Sequence, residues 1–105
     1  VNVIGRRKLR DFYQARPERR QHGGAFEDWY KIARRAEWDN FQEAKATFGQ
    51  TDVASGGQGK TATIFDVGGN KCRIVANIDY MRKTVLIVAV LTHAEYDKGI
   101  WKRLF

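Results

Sequence analysis

A histidine, a tyrosine and an aspartate stand close together in THAEYDK, residues 92 to 98, and form a group with an evident capacity for proton chemistry. Imidazole exchanges a proton near neutral pH, which suits it to act as a general acid or base. Thr92 and Glu95 have the T-x-x-E spacing of a capping box, in which each side chain satisfies a free backbone N–H, so a helix is predicted to start at His93. Tyr96, three residues on, then shares the side of His93, and Asp97, four residues on, is placed to orient the imidazole or counter its charge. Backbone N–H groups at a helix start also attract phosphate. Arg73 lies on a neighbouring predicted strand, and arginine, histidine and tyrosine at one sheet edge would suit phosphodiester chemistry.

The elements that must position these groups divide the chain near residue 49. Before it the pattern is helical. Phe26, Trp29, Tyr30 and Ala33 recur at i, i+3, i+4 and i+7 and predict a helix from about 24 to 37 with one apolar face. Phe41, Ala44 and Phe48 repeat the pattern briefly, and Arg10 to Arg16 predicts a short first helix ended before Pro17. After residue 61 the pattern is that of strands: TATIFDV (61–67), a GGN turn, KCRIVANID (71–79), a second turn and the apolar run TVLIVAVL (84–91). These predict a three-stranded antiparallel meander packed under the helices, an α+β arrangement with a short C-terminal helix. In the middle strand Cys72, Ile74, Ala76 and Ile78 would face the helices, and Lys71, Arg73, Val75, Asn77 and Asp79 would face solvent.

Residues 49 to 61, GQTDVASGGQGKT, read as a loop. ASGGQGKT at 54–61 matches the phosphate-binding pattern G-x-x-x-x-G-K-[ST] except at Ala54. That motif must follow a strand and open a helix, and here a β-like segment follows it, so a flexible loop is the expectation, with Lys60 at most touching phosphate.

The 105 residues suit a single domain, 1–105, with one hydrophobic core. No apolar stretch approaches the length of a membrane span, and VNVIGRRKLRDF lacks the apolar segment of a signal peptide, so the cytoplasm is the default compartment. A lone cysteine, Cys72, has no internal disulfide partner, and His22 and His93 lie at no zinc-ligand spacing, so neither a structural metal nor a cofactor is expected. Nineteen Lys and Arg against twelve Asp and Glu give a net charge of +7, a field that attracts polyanions, nucleic acid first among them.

GGNKCRIVANIDYMRKTVLIVAVLTHAEYDKG, residues 68 to 99, resembles the C-terminal half of HigB-type toxins of bacterial toxin–antitoxin systems, members of the RelE-like superfamily. RRKLRDFY (6–13) and FEDWYKIARRAEW (26–38) extend the resemblance more weakly, and the loop at 49–61 departs from it. The resemblance implies a metal-independent endoribonuclease that cuts messenger RNA on the 70S ribosome by attack of the ribose 2′-hydroxyl. It also implies silencing by a cognate helix-turn-helix antitoxin, with operator DNA contacted only through that partner and RNA lying across the exposed sheet face. Carried over by motif, Arg73 would grip the phosphate bidentately, His93 would be the acid or base, and Tyr96 would stack on a base or assist proton transfer. Lys8, Lys60, Lys71 and Lys98, with Arg6 and Arg7, would contact RNA backbone. Two other classes stay open: a toxin of the same fold aimed at another target such as DNA gyrase, with His93 idle, and a non-catalytic RNA-binding module.

Overall fold

The computed structural model describes every residue from Val1 to Phe105. Helix α1 runs from Arg6 to Gln14, four residues earlier than predicted at its start. Leu9 and Phe12, three apart, turn into the core while Arg7, Lys8 and Arg10 stay in water, a stripe obscured in the sequence by its basic neighbours. Arg16 is extended ahead of Pro17, which opens a 3-10 helix over Pro17–His22. Helix α2 (Gly23–Arg35) buries Phe26, Trp29 and Ala33 as their spacing predicts, and α3 (Phe41–Thr47) is capped by Asn40, whose side chain accepts from the Glu43 N–H.

Arg6 hydrogen-bonds Glu27 at 2.9 Å and ties α1 to α2. That bond holds the Glu27 carboxyl below the usual carboxylate range, against the opposite pull of burial. A carboxyl lowered on folding adds stability above its unfolded value, about 4.3, and that stability is lost as pH falls through the folded value. The melting temperature is therefore expected to drop between pH 6 and pH 3, and less steeply for Glu27→Gln. Parallel melting curves for the two proteins would rule the contribution out.

The sheet has five strands where three were expected. Besides β3 (Thr61–Val67), β4 (Cys72–Asp79) and β5 (Thr84–Thr92), it includes β1 (Asn2–Ile4) and β2 (Thr51–Ser55), in the order β1-β5-β4-β3-β2. All pairings are antiparallel except that of β1 with β5, so the sheet is mixed. The predicted loop thus shrinks: Thr51–Ser55 pairs residue for residue with Phe65–Thr61, and only the turn that follows is glycine-rich. Both omitted strands are short edge strands whose partners, not their own composition, make them β.

A larger correction concerns the second face of the sheet. Cys72, Ile74 and Ala76 pack on the helices as predicted, but Val75 is fully buried and Arg73 is only 6 % exposed. Their face is roofed by helix α4 (His93–Asp97) and a 3-10 helix over Ile100–Leu104, whose Trp101 packs with Ala62, Ile64, Val75 and Phe105 in a second core. This explains the uniformly apolar β5. Its Val85, Ile87 and Val90 serve the helix side, and a bulge that skips Val88 in the β4–β5 register sets Val88, Ala89 and Leu91 against the second core. No helix is long and apolar enough to cross a membrane.

Candidate active site

The β3–β4 hairpin turns through Gly68, Gly69 and Asn70, all with positive φ. Asparagine tolerates this conformation, and here both its backbone oxygen and its side-chain Oδ1 accept hydrogen bonds from Arg73, at 2.9 and 2.8 Å. Arg73 also donates to the Cys72 carbonyl at 3.1 Å and to His93 Nδ1 at 2.7 Å. Its Nε lies 3.0 Å from Asp66 Oδ1, in an ion pair across the strands where Asp66 and Arg73 are register partners. Burial pushes the Asp66 carboxyl up, opposed by the charge of Arg73.

The capping box predicted for Thr92 and Glu95 is present in both directions. Glu95 does more than cap. It stands 3.6 Å from Arg19 of the first 3-10 helix, and its carboxyl is held low chiefly by the Thr92 backbone hydrogen bond. The expected phosphate site at the start of α4 is mostly used up. His93 N–H donates to Lys71 O and Glu95 N–H to Thr92 Oγ1, on a helix of only five residues.

Arg73 and His93 therefore meet at one place, with the imidazole half in solvent and its Nε2 3.0 Å from Asp97 Oδ2. In front of them an open concavity of about 480 Å³ is lined by Gly69, Asn70, Lys71, Thr92, His93 and Ala94. Of the four lysines predicted to bind RNA, Lys71 alone lines it. Lys8 stands by Phe12 and Arg19 in another shallow concavity, Lys98 lines an apolar groove along Trp101, and Lys60 sits at the β2–β3 turn, where its backbone N–H donates to Phe105. Tyr96 stacks on Trp101 with centroids 5.4 Å apart and planes 7° apart, so that face of its ring is not open to a base. Arg73 lies 5.7 Å from the same ring, and burial pushes the phenol up.

Two expectations change. A bidentate grip on phosphate would require Arg73 to release protein acceptors, because both terminal nitrogens already make two hydrogen bonds each. RNA also cannot lie across the β4 face beneath Trp101 and Phe105, both of which are buried there. Sequence reasoning missed Asp66 and Asn70. Counting outward from a three-residue GGN turn places Phe65, not Asp66, opposite Arg73; the turn is one residue longer, and that shift of register brings Asp66 opposite Arg73.

A basic α+β chain with a guanidinium and an imidazole joined where the inner strands β4 and β5 meet helix α4 fits the RelE-like class of toxins, and residues 22–99 match the HigB toxin family, described as a RelE-like toxic component of a toxin–antitoxin system. The chain belongs to that family. A 35-residue segment is 43 % identical to the mRNA interferase HigB of Escherichia coli O6:H1, covering 33 % of this chain and 34 % of that relative.

Proposed function

We propose that this toxin is a ribosome-dependent endoribonuclease that cuts messenger RNA in the cytoplasm and is silenced by a helix-turn-helix antitoxin, through which alone it meets operator DNA. The observation that carries the reading is the contact of Arg73 with His93 Nδ1, with Asp97 beside Nε2, at the edge of an open cleft that also holds Lys71. Family membership, the name of the Escherichia coli relative and the +7 charge support it. The substrate brings its own nucleophile, the ribose 2′-hydroxyl, so the scheme needs no metal ion. It needs a proton acceptor, a hydrogen-bond donor and positive charge near the phosphorane. His93 and Asp97 carry the first two between them; Arg73 and Lys71 supply the third.

The test is inducible expression with growth measured alongside primer extension on a ribosome-bound message. The wild type should arrest growth and produce new mRNA ends. His93→Ala, altering a half-exposed side chain, should fold normally and lose cleavage by about 10²- to 10³-fold. Arrest without mRNA ends, unchanged in that variant, would point to a target other than mRNA.

A further inference from the structure

Arginine has five N–H donors and no acceptor, so the 2.7 Å contact between Arg73 and His93 fixes the direction of the bond: Nδ1 accepts. A neutral ring whose Nδ1 accepts carries its proton on Nε2. The guanidinium cannot easily turn away, because its remaining terminal N–H groups are held by the Asn70 carbonyl, Asn70 Oδ1 and the Cys72 carbonyl, and its Nε faces Asp66. Arg73 is buried beneath α4, whereas Nε2 belongs to a ring half in solvent at the cleft. While this arrangement persists, His93 cannot take a proton at either nitrogen. It can offer a fixed N–H.

Resting on the ribonuclease reading, we propose that His93 acts as a neutral hydrogen-bond donor through Nε2, that Asp97 is the group that moves the proton, and that Asp66 and Asn70 are positioning residues that lock Arg73 on Nδ1. When a phosphodiester enters, a non-bridging phosphoryl oxygen replaces Asp97 in front of Nε2. The 2′-oxygen forms its bond to phosphorus, its proton passes to the Asp97 carboxylate, the bond from phosphorus to the 5′-oxygen breaks, and that proton is returned to the departing 5′-oxygen. Atoms and charge balance, and the imidazole ends as it began. Arg73 then contributes charge and orientation without gripping the phosphate.

The decisive variant is His93→Gln, which keeps a donor near the position of Nε2 and cannot titrate. It should cleave a ribosome-bound message within about 10-fold of wild type while His93→Ala falls by about 10²- to 10³-fold. Equal loss in both folded variants would overturn the proposal. Nitrogen NMR of the ring is an independent arm, readable whether or not the protein cuts RNA. At neutral pH Nδ1 should appear unprotonated and Nε2 protonated, and Asp66→Asn or Asn70→Ala should mix the tautomers and lower kcat with KM little changed. A protonated Nδ1 in the wild type would also overturn the proposal. If wild type gave no mRNA ends yet showed this tautomer, the ribonuclease reading would fall, and the proposed role of His93 in cleavage with it, while the locking of Arg73 by Asp66 and Asn70 would stand.

Discussion

Arg73→Leu is expected to lose about 3 kcal/mol of stability as well as its activity, an outcome foreign to a surface residue that merely awaits a ligand. The side chain is 6 % exposed and its charge faces Asp66, itself largely buried, across the β3–β4 pair. Removing the guanidinium leaves a carboxylate in a site where burial already disfavours its charge. It also strips acceptors at Asn70 and His93 of their donor. Asp66→Asn introduced into the Arg73→Leu protein should recover part of the loss, because it takes away the stranded charge. A double-mutant cycle from urea denaturation measures this coupling, expected at more than about 1 kcal/mol. Strict additivity of the two substitutions would show that the pair is not the unit described.

How much of this was legible in the sequence depends on the range of the interaction involved. The capping box is local: Thr92 and Glu95 lie within one turn, and their spacing alone put His93 at the first position of α4. The apolar face of α2 is equally local, since Phe26, Trp29 and Ala33 fall on one stripe whatever they pack against. The alternation of β4 misled because it assumes that only one face is buried. Val75 and Arg73 obey the alternation, but their side meets Trp101, Phe105 and Tyr96, residues roughly twenty to thirty positions later, and no pattern within β4 reports this. The hydrogen-bond saturation of Arg73 was hidden for the same reason. Asn70 is near in sequence, but Asp66 depends on the hairpin register and His93 on the bulged β5 that delivers it.

The C-terminal segment Ile100–Leu104 lies beyond the residues matched to the family, and its six-residue run IWKRLF with Phe105 is too short to show a period. The glycines that resembled a phosphate loop belong to its seat. Gly56 N–H bonds Lys60 O to close the β2–β3 turn, Gly57 N–H bonds Lys102 O, and Lys60 N–H bonds Phe105 O. A Cβ at Gly56 would press on the Phe105 backbone, 2.7 Å from its carbonyl carbon, so the close approach needs glycine there. The loop expected there is a seat for the chain's own C-terminal residues.

Trp101→Ala should therefore cost about 3 to 5 kcal/mol, a large part of the roughly 5 to 15 kcal/mol that holds a domain folded. The indole is 4 % exposed, stacks on Tyr96, meets Phe105 edge-on with centroids 6.0 Å apart, and donates from Nε1 to the Tyr96 carbonyl at 3.2 Å. Its removal opens a cavity over Ala62, Ile64 and Val75 and frees the α4 turn that carries His93 and Asp97. Thermal unfolding should fall by about 12 °C or more. Ile100→Ala and Leu104→Ala, flanking it at 60 % and 58 % exposure, should stay within about 0.5 kcal/mol of wild type. If all three substitutions had the same small effect, the second core would not be part of the cooperative fold. The imidazole would then lack the fixed platform that its bond to Arg73 requires, because α4 is held from below by Tyr96 on Trp101 and from the side by the Arg19–Glu95 pair.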